Sequence, residues 1–300
     1  MKGGYIAIVG KPNVGKSSLL NVLVQEKISS VSPKPQTTRF NLLGILNYED
    51  AQFIFIDTPG IMKKVKDKLD EFSLSEIEKA IDDADVIVLL VEPKLPDEED
   101  LRIIEILKNK NKPIVLAINK IDLVKDKREL LPIIENYSKL HEFKEIIPIS
   151  VIYRDGIDIL IESIRKFLPD LEGPYYEDDV ITDKPLRVLV AEIIREKIYL
   201  LYKDEIPYAT AVKVEEYIDP DEHPEQKRDK VYIRAVIYVE RDSQKGIIIG
   251  ENGKRIKELG TISRKEIERL IGKPVYLELW VKVKEHWRRN ESFIRSLQSL

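Results

Sequence analysis

Gly10-Lys11-Pro12-Asn13-Val14-Gly15-Lys16-Ser17 follows a short β-rich run, Tyr5–Val9, and opens a stretch of helical periodicity, Val14–Val24. The spacing GxxxxGK[ST] between a strand and a helix is that of a phosphate-binding loop. Glycine at 10 and 15 lets backbone N–H groups converge on a phosphate with no Cβ in the way. The helix N-terminus adds the positive end of its dipole. Lys16 is placed to reach β- and γ-phosphate oxygens and Ser17 to offer a hydroxyl to Mg²⁺, with Asn13, Val14 and Ser18 completing the cradle. Outward from this loop, the apolar runs Phe53–Asp57, Val86–Val91, Ile114–Ile118 and Ile146–Ile149 alternate with helical patterns at Ser75–Ile81, Glu98–Lys108, Leu130–Leu140 and Ile157–Phe167. That alternation predicts a parallel sheet covered on both faces. Asn41–Tyr48 turns through Glu49-Asp50 into Gln52–Ile56, which reads as a hairpin adding one antiparallel edge strand.

Two further motifs stand at strand ends. Asp57-Thr58-Pro59-Gly60 closes an apolar run; Asp57 is suited to hold Mg²⁺ through water, and the Gly60 N–H to meet a γ-phosphate. A contact made only with triphosphate is the basis of a switch. Asn119-Lys120-Ile121-Asp122 ends another strand. A carboxylate at Asp122 can accept from both N1–H and the 2-amino group of guanine, donors that adenine lacks, so the nucleotide is GTP/GDP rather than ATP. Ser150, with Val151, follows the last strand, where the Ser150 backbone could support guanine O6. Thr38, with Thr37 as the other candidate, lies in a polar stretch suited to bind Mg²⁺ when γ-phosphate is present. A second mobile loop is expected from Gly60 to Lys68. Together these residues predict an α/β P-loop GTPase domain with a mixed, mostly parallel sheet, in which Lys16, Thr38 and Gly60 carry catalysis.

Many small GTPases place Gln after the DxxG glycine to orient the attacking water; here Ile61 stands there. Another group of the chain, a partner, or the γ-phosphate itself must then serve, and slow intrinsic turnover is expected. Asn13 has a side-chain carbonyl that could bind K⁺ beside the phosphates, or could instead cap its own loop.

Composition narrows the alternatives. With no cysteine, a disulfide framework, a Cys-ligated zinc and a Cys nucleophile are all excluded. His141, His223 and His286 show no metal spacing. No secretory signal is expected, and no apolar run approaches the roughly 20 residues of a membrane span, which suits a cytoplasmic protein. The net charge of −4 hides an asymmetry: the first 180 residues are acidic and the remainder basic, with the excess gathered after Lys245. A basic tail suggests a polyanionic partner.

The alternating pattern stops at Leu171–Pro185, so the expected organisation is a first domain over 1–172, a linker over 173–184 and a second domain over 185–300. The second reads as α+β, with a helix at Leu186–Tyr202, strands at Ala209–Ile218 and Val231–Val239, a helical stretch over Ile247–Ile271, a strand at Val275–Val283 and a closing helix, Trp287–Ser299. Gly250-Glu251-Asn252-Gly253 is a GxxG with Gly246, Ile248 and Ile249 before it and Lys254-Arg255 after it. This resembles the KH module, whose GxxG loop clamps the backbone of about four nucleotides, and the strand order resembles its type II form. Lys282, Lys284, Arg288 and Arg289 would extend the positive surface. The competing reading makes GxxG a plain turn in a protein-binding domain.

The whole chain resembles the Era family of bacterial GTPases. Beyond the nucleotide motifs, the resemblance rests on Pro35-Gln36-Thr37-Thr38-Arg39, Arg195-Glu196-Lys197, Glu205-Ile206-Pro207-Tyr208, and Val281-Lys282-Val283-Lys284 with Trp287-Arg288-Arg289-Asn290. It implies binding to the 3′ end of 16S rRNA and the 30S subunit, with GTP favouring RNA binding and hydrolysis allowing release. It also implies a cytoplasmic protein with some peripheral inner-membrane association; a monomer is expected. The family likewise has an aliphatic residue where Ile61 stands. Val151 departs from it, since Ala is usual there.

Overall fold

The computed structural model describes residues 1–61, 65–226 and 228–298. They form two compact units: 1–29, 38–66 and 70–183 in unit 1, and 30–37, 67–69 and 184–300 in unit 2.

Unit 1 runs β1 (Lys2–Val9), α1 (Lys16–Val24), β2 (Leu42–Tyr48), β3 (Ala51–Asp57), α2 (Lys68–Asp83), β4 (Val86–Val91), α3 (Glu98–Lys108), β5 (Ile114–Ile118), α4 (Leu130–Leu140), β6 (Glu145–Pro148) and α5 (Ile157–Arg165). The first two residues of α2, Lys68 and Leu69, are grouped with unit 2. The sheet order is β2-β3-β1-β4-β5-β6. β2 pairs antiparallel with β3, and every other pairing is parallel. β4 and β5 are buried at every position, which is why they read as continuous apolar runs rather than alternating ones. All five parallel strands end at one edge of the sheet. The order reverses between β3 and β4, either side of β1, which is where an open α/β sheet leaves a crevice for a ligand.

The stretch expected to be a linker is tied down within unit 1. Ile45 N–H donates to Ile181 O at 2.8 Å. Gln52, fully buried, accepts from Tyr175 N–H at 2.7 Å and donates to Tyr176 O at 2.9 Å. Ile45 lies on the edge strand β2, which must satisfy its backbone somewhere, and Gln52 is a buried amide that needs partners; periodicity reveals neither.

Unit 2 runs α6 (Leu186–Leu201), α7 (Ile206–Ala209), β7 (Ala211–Ile218), β8 (Val231–Val239), α8 (Asp242–Ile249), α9 (Lys254–Ile271), β9 (Val275–Val283) and α10 (Glu291–Ser296). Its sheet is β7-β8-β9, antiparallel then parallel. The expected closing helix is broken: a 3-10 turn covers Trp287–Arg289, and Asn290 then caps α10 by accepting from Phe293 N–H. Trp287 is fully buried and its indole N–H donates to Ala209 O at 2.9 Å.

Candidate functional site

The P-loop joins the end of β1 to α1. Gly10 and Gly15 have φ of +152° and +106°, and a Cβ on either would lie 2.3 Å from Leu90 O or 2.4 Å from Asn119 Nδ2. Both positions therefore require glycine. Asn13 also has positive φ, 65°. Lys16 Nζ, buried, donates to Gly10 O and Lys11 O at 3.1 and 2.8 Å, so it lies against the inside of the loop. Burial pushes its ammonium down to about 8, opposed by the charge of Asp57. Phosphate oxygens would offer the same ammonium charged acceptors in place of neutral carbonyls.

Asp57 ends β3 and gathers hydroxyls. Its Oδ2 accepts from Ser17 Oγ at 2.7 Å and Ser29 Oγ at 2.8 Å, with Thr38 Oγ1 at 3.5 Å. Ser17 Oγ lies 2.8 Å from Thr38 Oγ1. Thr37 instead donates its hydroxyl to Lys34 O, so the geometry separates the two threonines. Burial pushes the Asp57 carboxyl up against the pull of those hydrogen bonds and Lys16. Its Oδ1 is buried with no hydrogen-bond partner. An orphaned carboxylate oxygen among hydroxyl oxygens fits a hard cation such as Mg²⁺. Ser29 belongs to no sequence motif and is revealed only by the fold. Asn21, on α1, places it by accepting from Ser29 N–H at 2.8 Å and donating to Ser29 O at 2.8 Å.

Gly60 sits against the P-loop, where a Cβ would come 2.7 Å from Pro12. Ile61 turns the other way: it is buried in the core with Ile77, Ala80 and Leu89. An aliphatic chain at this position is thus a packing residue. The expected second mobile loop falls partly on 62–64, outside the described residues; Lys68 already belongs to α2.

At the base end, Asn119 Nδ2 donates to Val14 O at 2.9 Å and its Oδ1 accepts from Val151 N–H at 3.1 Å. Lys120 Nζ donates to Asn13 O at 2.7 Å and pairs with Glu92 at 2.6 Å. Glu92 directly follows β4, a carboxylate closing a parallel strand as Asp57 does, and that signal could have found it. The Ser150 backbone N–H donates to Asp155 O at 3.0 Å, and its hydroxyl donates to Asp122 Oδ1 at 2.5 Å. Ser18 occupies the third position of α1.

In unit 2, α8 ends at Ile249 with Gly250 as its cap and α9 starts at Lys254, with a 3-10 turn over Glu251–Gly253 between them. Gly250 and Gly253 have φ of +70° and +72°, and Asn252 has 52°. The turn is tight, and Lys254 and Arg255 open the helix behind it. Gly246 is an ordinary helical position with open space around it.

The residues grouped with the turn differ in placement. Ile248 is fully buried in the core; its helical phase turns it inward. Ile249 packs partly buried against the same core. Arg288 donates to Asp67 Oδ2 at 2.6 Å and Tyr208 O at 2.7 Å, so its guanidinium is held inside the fold. Arg289 is exposed, Lys284 lies 4.8 Å over the Phe293 ring, and Lys282 lies 5.5 Å over Trp280.

Comparison with known proteins matches this architecture. Residues 5–120 fit a family described as 50S ribosome-binding GTPase, and residues 205–288 fit the KH domain. The chain is 46% identical over 99% of its length to GTPase Era of Lactobacillus helveticus (strain DPC 4571), covering 95% of that protein. Among solved structures it resembles Era in complex with MgGDPNP and nucleotides 1506–1542 of 16S ribosomal RNA, with TM-score 0.94 and 43% identity over 100% of this chain and 99% of that one. It also resembles a point variant of Aquifex aeolicus Era bound to GDP·AlF4⁻, with TM-score 0.93, 43% identity and the same coverage. With P-loop, Asp57 hydroxyl cluster, base-end motif and GxxG turn in one chain, it belongs to the Era family of GTPases.

Proposed function

We propose that this GTPase binds the 3′ end of 16S rRNA through its KH unit and acts in assembly of the 30S subunit, with the bound nucleotide setting RNA affinity. The observation that carries the RNA reading is the GxxG turn: two glycines at positive φ between helices, followed by Lys254 and Arg255. Such a turn lets a nucleic-acid backbone approach closely. The related Era solved with 16S nucleotides 1506–1542 supports the choice of RNA.

In this reading Gly10, Asn13, Val14, Gly15, Lys16, Ser17 and Ser18 hold the phosphates, and Asn119, Lys120, Asp122, Ser150 and Val151 hold the base. Ser17, Thr38 and Asp57 would hold Mg²⁺, which would supply positive charge to the phosphates. Lys16 and the Gly60 N–H stabilise the transferring phosphoryl group, and Asn13 would hold K⁺ if it binds. Gly246, Gly250, Glu251, Asn252, Gly253, Lys254 and Arg255 receive RNA, extended by Lys282, Lys284 and Arg289. The protein is a cytoplasmic monomer with peripheral contact to the inner membrane. The two units are proposed to divide as domains at 172 and 185, although the residues between are held within unit 1.

Coupling has a physical route. Ser29 and Thr38, both at Asp57, flank residues 30–37, whose partners lie on α6. Ser30 Oγ donates to Glu192 O and Tyr199 OH to Gln36 O, each at 3.0 Å, and Arg195 donates to Thr37 O. A γ-phosphate that draws on Thr38 pulls on a segment fastened to the first helix of the RNA-binding unit. Fluorescence anisotropy with an RNA ending in the 16S 3′ sequence is expected to show tighter binding with a GTP analogue than with GDP, across a salt series. Equal affinities at fixed salt would count against coupling, and no binding in either state would remove the RNA reading.

Slow hydrolysis follows from Ile61. Phosphate release by the isolated protein is expected well below the roughly 1–1000 s⁻¹ usual for enzymes. Ile61→Gln is expected not to speed it, because the side chain faces the core, and to destabilise the fold by about 1–3 kcal/mol through a buried amide. Accelerated turnover in that variant would contradict the placement.

A further inference from the structure

The sheet of unit 2 has two faces, and the core uses one. Ile233, Ala235 and Ile237 of β8 and Val275 and Val281 of β9 lie in the core. The register sets Tyr232 beside Tyr276, Arg234 beside Glu278, Val236 beside Trp280 and Tyr238 beside Lys282, so these share the opposite face. There Tyr276 is 59% exposed and Trp280 44%. The rings of Tyr232 and Tyr276 stack at 6.0 Å and 12°. Arg228 lies 4.4 Å over Tyr232, and Arg234 and Lys282 each lie 5.5 Å from the Trp280 centroid. Glu278 accepts from the Trp280 indole at 2.7 Å and the Tyr232 hydroxyl at 2.5 Å, which fixes both rings. Glu215 of β7 pairs with Lys282 at 3.4 Å and Glu216 with Arg234 at 3.2 Å, so these two cations would exchange a carboxylate for a phosphate.

Exposed rings held at set angles with cations beside them are what a single-stranded nucleic acid needs. Bases of any sequence stack on the rings, and phosphates meet the cations. The location suits the purpose. β9 is an edge strand, and α8 and α9, which carry the glycine turn, pack against it from the core side. The turn's helices and the aromatic face therefore flank one exposed strand. Lys282, grouped by sequence with the glycine turn, belongs to this second face.

We propose that this face is a second RNA contact, in which Trp280 and Tyr276 stack bases and Arg228, Arg234 and Lys282 meet phosphates. It rests on the RNA-binding reading of the glycine turn. The chain has two tryptophans, and Trp287 is fully buried, so emission quenched by acrylamide reports Trp280. The full-length protein would be titrated with two RNAs from the 16S 3′ end. One of about four nucleotides fills the glycine turn alone, and one of about twelve can reach further. The longer RNA is expected to bind more tightly and to shield Trp280 from acrylamide. Trp280→Ala should weaken the longer RNA about tenfold, leave the shorter unchanged, and be largely rescued by Trp280→Phe. If the shorter RNA binds but the longer gains nothing, or Trp280 stays accessible in the longer complex, this proposal fails while the glycine-turn reading stands. Binding of neither RNA would overturn both.

Discussion

Asp122→Asn is expected to lower GTP affinity by about a thousandfold and to let the protein bind xanthosine triphosphate instead. Two hydrogen bonds to a charged acceptor, each worth about 1.5–3 kcal/mol, are lost together, and the Asn amide N–H₂ group would face the guanine 2-amino group donor to donor. Xanthine carries a carbonyl at that carbon, which the amide can meet. The neighbours favour a clean exchange. Asp122 is exposed, and the Ser150 hydroxyl that donates to it at 2.5 Å can donate equally to an amide oxygen. Asn119 and Lys120, which bind the P-loop carbonyls of Val14 and Asn13, are untouched, so the loop keeps its shape. Competition of labelled GDP against GTP and XTP reads both halves. Unchanged GTP affinity, or weakened GTP binding with no gain for XTP, would show that Asp122 does not read the base.

The fold of the first unit was legible because its central strands β3, β4 and β5 are buried at every position. Val86–Val91, Ile114–Ile118, Glu98–Lys108 and Leu130–Leu140 have the bounds that periodicity predicts. The nucleotide motifs could be read because each demands a fixed residue at a strand end. What sequence could not supply were partners distant in the chain. Ser29 has no motif of its own, and its hydroxyl matters only because Asn21 folds the loop onto Asp57. Lys11, an unmarked position of the P-loop, is buried between Asp97 and Asp100 at 2.7 and 2.8 Å, tying the loop to the capping box of α3.

The same limit explains the signatures of the second unit. Arg195-Glu196-Lys197 looks like a helix surface, yet all three residues are buried. Arg195 holds Thr37 O, and Lys197 pairs with Glu196 at 3.0 Å. Ile206-Pro207-Tyr208 and Trp287-Arg288 are far apart in sequence but form one structure, in which Trp287 and Arg288 donate to carbonyls of Ala209 and Tyr208. That is why Arg288, expected from its charge to meet phosphate, is committed to the fold. Charge in a sequence marks a need for a partner and does not say whether the partner is RNA or the protein itself.

The glycine turn allows a sharper experiment than deleting it. At Gly250, an added Cβ would lie 2.8 Å from Cβ and Cγ of Arg255, so any substitution there disturbs α9 and confounds loss of binding with loss of shape. At Gly253 an added Cβ meets nothing within 4 Å. Its φ of +72° costs an L residue roughly 1–2 kcal/mol, at the low end for Asp, which tolerates that region, and a carboxylate is favoured at the N-terminus of α9. Gly253→Asp should therefore melt within a few degrees of the parent. In the proposed RNA groove, however, it sets a negative charge where a phosphate backbone would approach. RNA affinity is expected to fall about a hundredfold, comparable to losing one or two charge-assisted hydrogen bonds. The slope of log affinity against log salt should become shallower, because fewer phosphates are neutralised. Gly253→Ala separates the causes, since it carries the backbone strain without the charge and should retain most of the binding. If Gly253→Asp binds RNA like the parent while fully folded, the turn is not the RNA clamp, and the basic tail must serve a different partner.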